Sequence, residues 1–261
     1  MRVAQLFDLH GQTAVVTGGS RGLGLQIAQA LGEQGARVLL VARKQAELEQ
    51  ACAALREAGV QDADWLAADL GAEEGVAACA DGAMARLGKV DILVNNAGAT
   101  WGAPAQDYPL AAWDKVMNLN LRSVFLLSQA LGRAMIAQRH GRIINIASIA
   151  GLAGNAPDTM KTLAYNTSKA GLINFTRALA AEWGQYGVTV NALAPGFFPS
   201  RMTQGVLQQY GAEALSRHAP LQRLGDEDDL KGAALLFASA AGKHITGQVL
   251  AVDGGVSAVL A

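Results

Sequence analysis

Along the chain, short runs of apolar and β-branched residues alternate with longer alanine-rich stretches whose composition suits helices. Thr13–Thr17, Arg37–Val41, Ala63–Ala67, Ile92–Asn95, Arg142–Ala147, Val188–Leu193 and Gln248–Val252 are predicted as strands. Helices are predicted over Gly22–Gln34, Gln45–Ala58, Glu73–Leu87, Ala111–Arg139, Ala164–Tyr186 and Glu227–Ala238, with Gly35, Gly59 and Gly141 as stops.

Strands that are apolar on both faces and separated by helices imply a parallel sheet covered on both sides. The unbroken alternation predicts an α/β fold, a single-domain doubly wound parallel sheet of about seven strands spanning residues 1–261. The one long interruption runs from Pro195 to Glu227, with a short helix expected over Thr203–Arg217. Insertions of this length commonly act as lids. Residues 196–225 are therefore expected to cover a substrate, with Phe197, Phe198, Met202 and Val206 as apolar lining.

Composition narrows the class of partner. The 261 residues are 51% hydrophobic and 16% charged, ample for a core that folds unaided. The net charge is −1 and the longest basic run is the pair Arg43-Lys44, which gives no basis for nucleic-acid or anionic-membrane binding. No uncharged apolar run reaches the ~18 residues of a membrane span. The first residues carry Asp8 where a signal peptide has its apolar core. Cys52 and Cys79 read as small buried hydrophobes, which suits a reducing compartment, so a cytoplasmic location is expected. His10, His140, His218 and His244 are scattered without metal-ligand spacing, so no metal is expected.

The first strand runs into Gly18-Gly19-Ser20-Arg21-Gly22-Leu23-Gly24, which opens the first long helix. A helix N-terminus offers free N–H groups and a positive dipole to a pyrophosphate, and glycines let it approach. The spacing, G-x-x-x-G-x-G, differs from the general dinucleotide fingerprint. At the end of the second strand, where an NAD site usually places an acid, stands Ala42, followed by Arg43 and Lys44. A 2′-phosphate carries roughly −1.5 to −2 charges, so these bases, with Arg21 in the glycine loop, favour NADP(H).

Tyr165 and Lys169 stand four apart, on one face of a predicted helix. An ammonium ~5 Å from a phenol, at an effective dielectric of ~20, is worth roughly 3 kcal/mol, or about two pKa units downward. That shift brings a tyrosine toward useful acid–base chemistry near neutral pH.

Taken in order, Thr17 to Gly24, Asp69-Leu70, Asn95-Asn96-Ala97-Gly98, Asn120, Ser148, Tyr165 with Lys169, Pro195-Gly196 and Asp253-Gly254-Gly255 make the chain resemble the short-chain dehydrogenases/reductases over effectively its whole length. The resemblance implies a Rossmann-type domain and an oxidoreductase. It implies that Tyr165 transfers the proton, that Ser148 holds the substrate oxygen, and that Lys169 lowers the tyrosine's pKa and holds the nicotinamide ribose. Asn120 is expected to anchor a proton-relay water. Asp69 and Leu70 are expected to border the adenine, and Asn96, Ala97 and Gly98 to floor the adenosine ribose and brace the sheet. Pro195, Gly196, Phe198 and Ser200 are expected at the carboxamide end, Ser200 replacing the family's usual threonine. The segment Gly154–Lys161 is a few residues longer than the family usually has, which leaves substrate preference open there.

Arg21 and the stretch Asn120–Phe125 look most like the 3-oxoacyl-thioester reductases of that family, so an NADPH-dependent ketoreductase is the leading expectation. A sugar-acid, polyol or secondary-alcohol dehydrogenase is the alternative. A non-catalytic dinucleotide sensor is the third, opposed by the complete set Asn120, Ser148, Tyr165 and Lys169. The partner expected is a small carbonyl or alcohol. The resemblance also implies a homotetramer.

Overall fold

The computed structural model describes residues 2–155 and 160–259. Residues 156–159, the middle of the longer segment, lie outside the described residues. After a short helix α1 (Val3–Leu6), strand and helix alternate as β1 (Thr13–Thr17), α2 (Gly22–Glu33), β2 (Arg37–Ala42), α3 (Gln45–Glu57), β3 (Ala63–Ala67), α4 (Glu73–Leu87) and β4 (Ile92–Asn95). Then follow α5 (Leu110–Met117), α6 (Ser123–Ala137), β5 (Gly141–Ile146), α7 (Leu163–Trp183) and β6 (Val188–Pro195). The chain continues through α8 (Gln204–Tyr210), α9 (Ala212–Arg217), α10 (Lys231–Ala238) and β7 (Val249–Val252).

All seven strands are parallel, in the order β3-β2-β1-β4-β5-β6-β7. The chain winds outward from β1 to β3, then returns to β4 on the other side of β1. The crevice that ligands use in such sheets lies at the C-terminal ends of β1 and β4, where the winding reverses.

Because side chains alternate across a strand, β1 serves both faces. Ala14 and Val16 join Ile27 and Leu31 of α2, Leu48 and Leu55 of α3, and Phe237 of α10 on one side. Val15 joins Val76 and Cys79 of α4, Leu127 and Leu131 of α6, and Leu179 of α7 on the other. Both cysteines are free and buried, as small apolar residues.

Three expectations need correction. The single helix over Ala111–Arg139 is two helices joined by a π-helical turn, Asn118–Arg122. Such turns keep the chain helical throughout, so a composition suited to helix does not show them. The helix over Thr203–Arg217 is split at Gly211, which adopts φ +78, a left-handed value natural to glycine. The helix expected from Glu227 begins only at Lys231. Upstream of it, Arg223 forks onto Asp229 at 2.5 and 2.7 Å and ties that stretch into a turn.

Candidate active site

The sheet brings the predicted motifs to one edge, because each follows the C-terminal end of a strand. The glycine loop leaves β1, Asn96 follows β4, Ser148 follows β5, and Pro195 ends β6.

Helix α2 begins without an internal cap. Arg21 stands at the N-cap with its side chain making no cap hydrogen bond, and the first turn holds no acid. Its first N–H groups therefore face the crevice without a side-chain partner, the condition an anion would satisfy. On the protein side the loop is closed tightly: a side chain at Gly24 would collide with the Gly18 carbonyl and the Asn96 amide. At Gly22, φ +54, an added Cβ would meet only open space. Gly19 hydrogen-bonds back to Val41 O on β2 at 3.3 Å. Ser20 and Leu23 fall between these fixed points in the same loop and first turn.

Asn96 braces this loop. Its Nδ2 donates to the carbonyls of Thr17 at 2.9 Å and Gly18 at 3.2 Å. The Thr17 hydroxyl accepts from the backbone of Asn96 and Ala97. Gly98 lies where a Cβ would come 3.3 Å from Asn120 Oδ1, tight enough to press on that amide, and 3.8 Å from Lys169 Nζ, an ordinary contact.

The catalytic candidates converge around α7. Lys169 is buried, with Nζ donating to Ile146 O at 2.6 Å and lying 5.6 Å from the centre of the Tyr165 ring. Burial pushes its pKa from 10.5 down to about 8. Tyr165 is half-buried and shifts upward: desolvation of its anion outweighs the opposing hydrogen bond from Ser148. This is opposite to the expected lowering, and its cause is burial of the phenol itself, which disfavours the phenolate. Ser148 is buried, and its hydroxyl also accepts from Ala150 N at 3.1 Å.

Asn120 sits on the π turn, fully buried. Its Oδ1 accepts from Ala99 N at 2.8 Å, and its Nδ2 donates to Ala99 O at 2.9 Å and Ser168 Oγ at 3.0 Å.

Other expected residues are placed less directly. Asp69 is exposed and turns the chain after β3 by accepting from Gly71 N at 3.0 Å, whereas Leu70 is buried in the core beside Val76. Pro195 ends β6, and Gly196 N donates to Val252 O on β7 at 3.0 Å. Ser200 Oγ pairs with Thr203 Oγ1 at 3.0 Å at the start of α8. Phe198 departs from the expected apolar cover. Its ring is buried in the core against Gly225, while Met202 is exposed and Phe197 half-buried. Arg21 Nη1 lies 2.6 Å from Glu47, and Arg43 is exposed with no ion pair among the described residues.

Several supporting groups belong to no recognisable motif. Ser168 links Asn120 to the Tyr165 carbonyl, its Oγ donating to Tyr165 O at 2.8 Å. Asn145, fully buried in β5, accepts from Asn95 at 2.9 Å and donates to Thr176 Oγ1 at 2.9 Å, joining β4, β5 and α7. A polar residue inside the apolar run Ile143–Ile146 was the available signal for that network.

Among the described residues no three His, Cys, Asp or Glu gather as a metal site, and no helix is long and apolar enough to cross a membrane.

Comparison with known proteins agrees with this geometry. A rhamnolipid-biosynthesis 3-oxoacyl-[acyl-carrier-protein] reductase of Pseudomonas aeruginosa is 41% identical, over 95% of this chain and 97% of its own. Gluconate 5-dehydrogenase of Gluconobacter oxydans is 37% identical over 98% of each chain. The crystal structure of a Burkholderia cenocepacia gluconate 5-dehydrogenase in complex with NADP and tartrate superposes with a TM-score of 0.92 at 35% identity, covering 99% of this chain and 100% of that one. The family model described as short chain dehydrogenase matches residues 12–211. With the fold, the motif order and these matches in agreement, the chain belongs to the short-chain dehydrogenase family of oxidoreductases.

Proposed function

We propose that this protein is an NADP(H)-dependent ketoreductase that reduces a 3-oxoacyl or similar ketone. The observation that carries the reading is the set Ser148, Tyr165 and Lys169, packed together at the sheet edge that also presents the uncapped start of α2. When bound, the nicotinamide supplies the hydride. Tyr165 donates its phenolic proton to the substrate oxygen, which Ser148 holds in place through its hydroxyl. Lys169, buried beside the ring, stabilises the tyrosine as that proton leaves and holds the ribose. Asn120 fixes the position of α7 through Ser168 and supports a proton relay.

The cofactor's pyrophosphate is assigned to Gly18, Gly19, Ser20, Gly22, Leu23 and Gly24. Arg21 and Arg43 serve the 2′-phosphate, and Asp69 and Leu70 the adenine. Asn96, Ala97 and Gly98 serve the ribose, and Pro195, Gly196, the backbone of Phe198 and Ser200 the carboxamide. NADP in solved relatives supports this assignment. The chain forms one domain, with residues 196–225 as the substrate lid.

An acyl substrate is supported by exposed apolar side chains on segments next to the catalytic ones. Leu152 follows Ser148, Leu163 precedes Tyr165, Trp101 follows Gly98, and Met202 follows Ser200. The second reading, a sugar-acid or polyol dehydrogenase, is favoured by relatives named for gluconate and galactitol. A steady-state screen with NADPH against oxoacyl thioesters, diketones and keto-sugars separates them. Preference for the thioester is expected; a hundredfold preference for a keto-sugar acid would overturn the acyl assignment.

A pH profile tests Lys169. It carries charge below its pKa of about 8 and loses it above, whereas Tyr165, shifted upward, stays protonated through that range. Turnover in the reducing direction should therefore fall as pH rises through about 8. A profile that stays flat to pH 10 would remove Lys169 from the acid–base step.

A homotetramer in a reducing cytoplasm completes the proposal. Phe125, exposed on α6, meets Phe175 of α7 edge-on with ring centres 6.4 Å apart, a surface suited to a second copy. Light scattering should give a tetramer mass, and a monomer mass would contradict it.

A further inference from the structure

Glu47, in the first turn of α3, gathers three cations from three parts of the chain. Arg21 of the glycine loop lies at 2.6 Å, Lys44 at 3.1 Å, and Arg201 at 3.7 Å. Arg201 is the unexpected member. It stands six residues beyond Pro195, the last residue of β6, whereas Glu47 stands five beyond Ala42, the last of β2.

Strands β1, β4 and β5 separate β2 from β6. Four strand spacings of ~4.8 Å amount to roughly 19 Å. An ion pair joining residues that follow these two strands must pass over their C-terminal ends, including the β1–β4 crevice where a dinucleotide lies. No other described ion pair joins the stretch from Phe197 to Tyr210 to the β1–β2 half of the sheet.

We propose that the Arg201–Glu47 pair is a strap over the cofactor crevice, with Arg201 a positioning residue that slows release of the dinucleotide. The inference rests on the cofactor reading above. The strap closes over the pyrophosphate stretch, which NADH and NADPH share, so its effect is the same for both. It links ordering of the lid to occupation of the crevice, since Met202 follows directly and Ser200 directly precedes. Three cations on one carboxylate leave a local excess of positive charge, which favours the cofactor's phosphates on the inner side of the strap.

The pair is solvent-exposed on the arginine side, 65% against 28% for Glu47. The expected effect is therefore modest, about two- to fivefold, and screened by salt. Stopped-flow fluorescence of NADH release is the test. NADH lacks the 2′-phosphate, so freeing Arg21 and Lys44 from Glu47 does not confuse the result. Arg201→Ala should speed NADH release about two- to fivefold at low salt, with little difference at 1 M salt, and Arg201→Lys should recover part of the wild-type rate. Glu47→Gln should speed release in the wild-type background and add nothing in Arg201→Ala, the non-additivity of a contacting pair. In the cofactor-free protein, both variants should raise hydrogen exchange over residues 201–217.

Unchanged release rates in Arg201→Ala, or fully additive effects in the double variant, would overturn the strap while leaving the cofactor reading intact. An effect on NADPH alone would make Arg201 a 2′-phosphate ligand and overturn it equally. Failure of the wild type to bind either dinucleotide would instead defeat the reading beneath it.

Discussion

Tyr165→Phe should lose at least 10²- to 10⁴-fold in turnover, the range that a positioned general acid contributes, while cofactor affinity stays nearly unchanged. The phenylalanine ring keeps the packing and leaves the ammonium of Lys169 over its face, 5.6 Å from the ring centre in the wild type. Lys169 keeps its own anchor on the Ile146 carbonyl, and Asn120 its hold on Ser168, so the surroundings of the missing hydroxyl should survive. What disappears is the proton donor and its hydrogen bond with Ser148. The measurement is turnover with saturating ketone, alongside titration of NADPH by fluorescence. A variant that kept a tenth of wild-type turnover would show that another group donates the proton.

Cofactor choice should respond almost as strongly. NADPH is expected to exceed NADH by at least tenfold in kcat/KM, because a charge-assisted hydrogen bond is worth roughly 1.5–3 kcal/mol, about ten- to a hundredfold. The structure separates these bases by their partners. Arg21 and Lys44 are both engaged by Glu47, while Arg43 is exposed and unpaired among the described residues. Arg43→Ala should therefore weaken NADPH far more than NADH, chiefly through KM, since the contact is remote from hydride transfer. Adding Arg21→Ala should deepen the loss only to the extent that its guanidinium turns from Glu47 to the phosphate. Ala42→Asp combined with Arg43→Ala should reverse the preference, as the new acid repels the phosphate and accepts from the ribose hydroxyls. Steady-state titrations with both cofactors decide it. Equal efficiencies in the wild type, or equal losses in the variants, would refute the NADP(H) assignment without touching the fold or the role of Tyr165.

The order of strands and helices, the doubly wound class, the position of the glycine loop and the family can all be read from the residues alone. These are local properties. A run such as Thr13–Thr17 is apolar on both faces whatever surrounds it, and Tyr165 and Lys169 share a helix face by spacing alone. Folding added what depends on partners far along the chain. It inserted the π turn that buries Asn120 against Ala99 and Ser168, 21 and 48 residues away. It drew Phe198 into the core, where a pattern of exposed and buried neighbours gave no sign of it. It also reversed the expected shift of Tyr165. Spacing puts Tyr165 and Lys169 on one face, but only packing determines how much water each loses, and burial of the phenol outweighs its hydrogen bond with Ser148. The contact of Arg201 with Glu47 is the extreme case. No periodicity relates residues 154 apart, and only the winding of the sheet brings the segments after β2 and β6 to the same edge.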